Sequence, residues 1–178
     1  LGPLDRFIFG QWLSQSNQTV HVVGASIGAW RMATACLRQS VSAFERLEHD
    51  YIHQHYELPP GQKRPTAAQV SREFGQNLQA FYGGRIDEVL HHPRYRLHVV
   101  TSHGRHLLHR EHPVATALGY AGAYLTNAVS RRWLGAWLER VVFSTHAAAQ
   151  RSLLDDALPF ASDVFRTQCV DLTADNFM

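Results

Sequence analysis

The chain has 178 residues, of which 45% are hydrophobic and 18% are charged, and its formal net charge is +2. This length and composition exclude a disordered chain and predict one globular domain spanning residues 1–178. The small net charge and the scattered basic residues exclude a nucleic-acid-binding protein. No apolar run is long enough to span a membrane. The two cysteines, Cys36 and Cys169, are far apart and lack C-x-x-C spacing, so neither a disulfide framework nor a cysteine zinc site is indicated.

The first third of the chain is predicted to hold helices around one short strand. Residues 3–14 should form a helix, because their apolar residues recur at helical spacing. A strand over Val20–Gly24 leads into a second helix, Ala29–Leu37. A third helix is expected to begin at Ser40 or Ser42, since the four residues from Ser42 match a capping box. The apolar residues of the first helix are Leu4, Phe7, Ile8 and Trp12, and those of the third are Val41, Phe44, Leu47, Tyr51 and Ile52.

The middle of the chain is predicted to continue with two helices and a strand hairpin. The pattern from Thr66 is helical, with apolar residues four apart, and Gly83-Gly84 ends it. A short helix over Ile86–Leu90 follows. Residues Tyr95–Thr101 alternate in polarity and predict a strand, and Arg105–Arg110 are expected to return as a second strand.

The last third of the chain alternates between helical and strand patterns. Ala115–Val129 is apolar and rich in small residues, which favours a buried helix. Strands are predicted over Val141–Phe143 and Phe165–Leu172, with Thr173 capping a final helix. Residues 145–163 carry no clear pattern. Strands separated by helices predict an α/β fold with a largely parallel central sheet.

The sequence Gly24-Ala25-Ser26-Ile27-Gly28 lies between the predicted strand and helix, and it matches Gly-x-Ser-x-Gly. With 12 glycines and 11 serines in the chain, about 0.05 such matches are expected by chance. In this context the motif is typical of a nucleophile elbow, a tight turn that presents a reactive serine. Gly24 and Gly28 are expected to be glycines because a Cβ at either position would crowd the turn. The alternative is a structural turn with an unreactive serine.

Twelve histidines raise the possibility of a metal site, which the spacing does not favour. His49 and His53 stand four residues apart on a predicted helix, but aspartate replaces the glutamate of the zinc-protease pattern. The apolar pattern also places Tyr51 and Ile52 on the buried side of that helix. A solvated helix face is therefore a better interpretation of the two histidines than a metal site. The histidines at positions 103, 106, 109 and 112 recur every three residues, so no more than two of them can converge. We predict no metal and no cofactor.

A cluster of aromatic and basic residues between positions 131 and 140 admits two interpretations. It could form an interfacial helix on anionic lipid, or its tryptophans could pack in the core, which is the favoured prediction. The cluster comprises Trp133, Trp137, Arg131, Arg132 and Arg140.

The chain resembles the patatin-like phospholipases. The resemblance rests on Leu1-Gly2-Pro3-Leu4 leading into a helix, a polar loop, and Val20-His21-Val22-Val23-Gly24-Ala25-Ser26-Ile27-Gly28-Ala29. It implies a patatin-like three-layer α/β sandwich and a lipid acyl hydrolase in which Ser26 attacks the ester and an aspartate acts as base. It also implies a lipid or other acyl-ester substrate, a cytoplasmic location and an option of peripheral membrane contact.

Two features of the family pattern do not occur in this sequence. None of the eight aspartates precedes a glycine, and no glycine-rich oxyanion loop precedes the first helix. We therefore expect a fragment trimmed at both ends, with little or no activity of its own and a catalytic aspartate outside it. Asp171 or Asp175 would be a substitute base. The alternatives are a non-catalytic module of the same fold and a Ser-His-Asp α/β-hydrolase.

Overall fold

The computed structural model describes residues 2–55, 58, 61–109, 113–145 and 165–178. The helices are α1 (Gly2–Phe7), α2 (Ile27–Ala35), α3 (Ser40–Ile52), α4 (Ala67–Tyr82), α5 (Ile86–Leu90), α6 (Pro113–Val129), α7 (Leu134–Trp137) and α8 (Ala174–Phe177). The strands are β1 (Val20–Gly24), β2 (Tyr95–Gly104), β3 (Leu138–Ser144) and β4 (Thr167–Asp171). A π-helical turn over Ile8–Trp12 and a 3₁₀ turn over Leu13–Gln15 continue α1, and further 3₁₀ turns cover His106–His109 and Arg131–Trp133.

These elements confirm the α/β class. The described strands form one sheet in the order β1-β2-β3-β4. β2 and β3 are antiparallel, with His98 opposite Ser144, whereas β3 and β4 are parallel, with Val142 opposite Cys169. None of the helices in the described ranges is long and apolar enough to cross a bilayer.

The chain divides into two compact units. The first unit comprises Leu1–Val22, Trp30–Leu97 and Thr173–Met178, and the second comprises Val23–Ala29 and His98–Leu172. The elbow sequence from Val23 to Ala29 therefore groups with the C-terminal half of the chain.

The core of the first unit is organised around Tyr82 at the end of α4. Its side chain is fully buried and its hydroxyl lies 2.9 Å from both the Thr34 hydroxyl and the Trp30 carbonyl oxygen. Burial raises the pKa of the Tyr82 phenol above its ordinary value of 10. The ring also meets Phe177 edge-on, with centroids 5.1 Å apart. Hydrogen bonds to both the proton and the oxygen of this buried hydroxyl offset its desolvation penalty, so Tyr82 can lie among apolar groups.

A buried ion pair joins the first helix to α2 and corrects the predicted packing of residues 3–14. Asp5 is 4% exposed, and its two carboxylate oxygens accept hydrogen bonds of 2.6 and 2.7 Å from Arg31. By contrast Leu4, Phe7 and Trp12 are more than half exposed, so the apolar stripe predicted for this helix is not its buried face. Helical spacing identifies a stripe, but it cannot show which residues another element covers.

The third and fourth helices show which local signals were reliable. The helix predicted from Thr66 is α4, and the Thr66 hydroxyl caps it by accepting a hydrogen bond of 3.2 Å from the Gln69 amide. The predicted capping box at Ser42 is wrong, because α3 already begins at Ser40 and the Ser42 hydroxyl donates to the Gln39 carbonyl. Phe44 and Leu47 of α3 are buried as predicted, whereas Val41, Tyr51 and Ile52 are exposed.

The second unit corrects two further predictions. Residues 105–109 do not form the predicted return strand: β2 runs on to Gly104, and a 3₁₀ turn begins at His106, whose φ is +53°. Arg110 lies outside the described residues. On the side of β2 away from β1, the antiparallel partner is β3, about 35 residues later in the sequence. Of residues 145–163, which carry no clear sequence pattern, all but Thr145 lie outside the described residues.

The helix α6 was expected to be buried and is not. Among its residues Ala123 is buried at 6% exposure, and the Trp137 ring packs against Gly122. Most of the remaining residues with described side chains are exposed. The prediction that both tryptophans pack in the core is wrong for Trp133, which is 61% exposed, and Trp137 is half-buried.

Candidate active site

The Gly-x-Ser-x-Gly sequence forms a tight turn between a strand and a helix. β1 ends at Gly24 and α2 begins at Ile27, so Ala25 and Ser26 alone make the connection. Ser26 has a φ of +52° and is exposed, as are its neighbours in the turn. A non-glycine residue in the left-handed region costs about 1–2 kcal/mol, and such residues concentrate at functional sites. The turn thus presents a strained, exposed serine.

Gly24 is required by the close approach of the helix to the strand. A Cβ at Gly24 would overlap the carbonyl oxygen of Gly28 and lie 2.6 Å from the Ala29 nitrogen. Both are backbone atoms, which cannot relieve the overlap by changing rotamer as a side chain could. The same expectation for Gly28 is wrong, because a Cβ there would meet nothing within 4 Å. Only the first glycine of the motif is sterically demanded by its described surroundings.

The start of α2 leaves one backbone donor beside Ser26. The Gly28 amide donates to the Ala25 carbonyl and the Ala29 amide donates to the Ser26 carbonyl, each at 2.9 Å. Within the described ranges the Ile27 amide has no acceptor. In a nucleophile elbow the amide that follows the serine is one of the oxyanion donors. The Ile27 N–H can therefore serve that role.

In the part of the chain that the structure describes, no base is hydrogen-bonded to the Ser26 hydroxyl. Asp171 lies at the end of β4, and Asp175 lies in the first turn of α8, next to the capping box that Thr173 forms. Within the described residues of the second unit, neither Asp171 nor a histidine is hydrogen-bonded to Ser26.

A serine–histidine contact does exist, but it lies elsewhere and is buried. His98 on β2 and Ser144 on β3 are both fully buried, and His98 Nδ1 lies 2.7 Å from Ser144 Oγ. The antiparallel register places the two residues directly opposite each other. Because a substrate has no access to a fully buried hydroxyl, this pair is a satisfied polar contact of the core. Sequence reasoning missed it, since nothing local identifies two residues 46 positions apart as partners.

Other described histidines make contacts with neighbouring side chains. His103 Nδ1 lies 2.9 Å from Glu139 Oε1, and this hydrogen bond lowers the pKa of the Glu139 carboxyl below its ordinary value of 4.5. His49 and His53 stack with ring centroids 4.3 Å apart on the exposed face of α3, as the favoured interpretation predicted. Across the described ranges, no group of three or more metal-ligating side chains comes together. His112 lies outside those ranges.

A cavity of about 170 Å³ lies beside this histidine–glutamate pair in the second unit. It is lined by Val100, Thr101, Ser102, Leu134, Leu138, Glu139, Arg140 and Phe165. The Arg140 guanidinium lies 5.6 Å from the centre of the Phe165 ring, and its NH1 donates to the Thr167 hydroxyl at 3.2 Å. The arginine is therefore already engaged by protein groups and is not a free anion site.

Comparisons of the chain with models of protein families, with curated protein sequences and with solved structures gave no match.

Proposed function

We propose that this chain carries the nucleophile of a serine acyl hydrolase similar to the patatin-like phospholipases. The observation that supports the proposal is the backbone of Ser26, an exposed serine at a φ of +52° in a two-residue turn between a strand and a helix. A serine without a role has no reason to occupy a conformation that costs about 1–2 kcal/mol, when glycine would adopt it freely.

In the proposed reaction the Ser26 oxygen attacks the carbonyl carbon of a lipid or other acyl ester. The base takes the serine proton and then delivers it to the departing alcohol, which leaves an acyl-enzyme. Water next attacks the acyl-enzyme, and Ser26 regains its proton as the carboxylic acid leaves. The free Ile27 N–H would stabilise the oxyanion in both steps.

The proposal includes a base that the described residues do not provide. We infer a Ser–Asp dyad whose aspartate belongs to a segment outside these 178 residues, in a complete patatin-like three-layer sandwich. We also place the protein in the cytoplasm. No cofactor takes part in this chemistry, because serine, a base and oxyanion donors are sufficient for ester hydrolysis.

Labelling with a fluorophosphonate tests the nucleophile directly. The longer gene product that contains this chain should be labelled at Ser26, and the Ser26→Ala variant should not. Ser71 is an exposed serine on α4, so Ser71→Ala is a matched control that should retain the label. An unlabelled gene product, under conditions where a control serine hydrolase reacts, would contradict the proposal.

Under this proposal the 178-residue chain by itself should react at least 100-fold more slowly than a longer product, because the proposed base and further oxyanion donors would come from the added segments. Equal rates for the two proteins would show that the base lies within the 178 residues.

A non-catalytic module of the same fold is the second candidate, and the absence of a hydrogen-bonded base at Ser26 in the described ranges favours it. It predicts no labelling and no ester hydrolysis in the longer gene product. The same labelling experiment therefore separates the two functions.

A further inference from the structure

The helix α6 presents an apolar face that no described element covers. Five of its large side chains are between 60% and 84% exposed: Leu118, Tyr120, Tyr124, Leu125 and Val129. At 100° per residue they span one continuous side of the helix, and exposed alanines fill the gaps between them. The opposite side carries Gly119 and Ala123, which are buried. An exposed apolar face of this extent marks a surface that binds another apolar surface.

The charges in the sequence of the helix and of the turn that follows it are of one sign. From Pro113 to Leu138 the sequence has no acidic residue, and its only charged residues are Arg131 and Arg132. Both arginines are exposed in the 3₁₀ turn that follows α6, and neither forms an ion pair within the described parts of the chain. Two exposed guanidinium groups at the end of an uncharged helix complement a negatively charged surface.

The aromatic residues point to the same kind of surface. Trp133 follows the two arginines and is 61% exposed, and Tyr120 and Tyr124 are exposed along the helix. Tryptophan and tyrosine combine an apolar ring with a polar group, and they concentrate where hydrocarbon meets lipid headgroups. Arginine in that position interacts with anionic headgroups.

We propose that the exposed face of α6, together with Arg131, Arg132 and Trp133, is a surface that binds anionic lipid bilayers. Leucine and valine side chains enter the boundary between headgroups and acyl chains, the aromatic rings lie at headgroup level, and the two arginines contact lipid phosphates or carboxylates. The use of the surface rests on the proposed function, because it would hold the enzyme at a membrane that contains its ester substrate. The binding itself does not need Ser26.

Vesicle flotation of the Ser26→Ala protein tests the surface independently of the activity. The 178-residue chain should float with vesicles of 70% phosphatidylcholine and 30% phosphatidylserine, and bind at least tenfold less to pure phosphatidylcholine. The double variant Arg131→Gln/Arg132→Gln should reduce partitioning onto anionic vesicles roughly 20-fold. Leu118→Gln/Leu125→Gln should reduce it at least tenfold, because two exposed apolar anchors are lost.

Matched controls come from exposed residues of other helices. Arg72 on α4 and Arg64 before it are exposed, so Arg64→Gln/Arg72→Gln removes the same charge elsewhere and should leave binding within twofold. Circular dichroism of every variant checks that it is folded. Failure of the parent to bind, or equal loss in the control variant, would overturn the proposal. Light scattering adds a third outcome: a dimer that Leu118→Gln/Leu125→Gln dissociates, with no vesicle binding, would reassign the face to a second copy of the chain.

Discussion

Replacing Gly24 by alanine should destabilise the fold, although the backbone at this position does not need glycine for its torsion angles. Gly24 is not among the described glycines with positive φ, so alanine can adopt its conformation. The cost is therefore steric. The new Cβ would overlap the Gly28 carbonyl and lie 2.6 Å from the Ala29 nitrogen, and relief requires a shift of α2 away from β1. Overpacking of this kind costs about 2 kcal/mol, which lowers the Tm of a chain this long by about 4–8 °C.

Gly28→Ala is the matched control, since it adds the same methyl group within the same motif. Its Cβ would meet nothing within 4 Å, and it lies in the first turn of α2. Alanine is a better helix former than glycine, so this variant should gain about 0.5 kcal/mol. Thermal and urea denaturation followed by circular dichroism measure both effects. If Gly24→Ala is as stable as the parent, or if both variants lose equal stability, the close approach at Gly24 is not what sets this turn.

Three further predictions concern groups outside the turn. Cys36 is fully buried, which raises the pKa of its thiol to about 12, whereas Cys169 is exposed. Ellman's reagent at pH 8 should therefore react rapidly with one thiol per chain, that of Cys169. Rapid reaction of two thiols would contradict the burial of Cys36. Asp5→Asn should lower the free energy of unfolding, measured by urea denaturation, by about 2 kcal/mol, because it leaves the part-buried Arg31 without its carboxylate partner. A loss below about 0.5 kcal/mol would show that the ion pair between Asp5 and Arg31 contributes little to stability. The hydrogen bond with His103 lowers the pKa of Glu139 in the folded state below its ordinary value of 4.5. The ionised Glu139 therefore contributes to the folding stability above pH 4.5, and this contribution is lost as the pH falls through the folded-state pKa. The stability advantage of the parent over Glu139→Gln should accordingly shrink between pH 6 and pH 3, and a constant difference would refute the linkage.

The features that sequence reasoning predicted well are those set by a few neighbouring residues. The threonine cap at Thr173 occurs as predicted, because a hydroxyl reaches an amide three residues away whatever the rest of the chain does. The short helix over Ile86–Leu90 has the predicted bounds. Ser26 stands in a strand–turn–helix for the same reason, since the β-branched run, the two glycines and the alanine-rich helix are contiguous.

The features that sequence reasoning did not predict depend on contacts between distant segments. Asp5 is buried because Arg31 reaches it, and Leu4 is exposed because no described element covers it. The partner of β2 was expected within a few residues, but the sheet pairs it with β3, and this register brings His98 to Ser144. A local pattern contains no information on which distant strand competes best for a sheet edge.

The sequence by itself therefore determined the position and backbone type of the candidate nucleophile, because a tight turn is a short-range structure. Only the tertiary structure decided which glycine of the motif is sterically required, and which side of α6 is left exposed. Both depend on how closely one backbone or side chain approaches another, and that distance is set by packing across the fold rather than by residue order.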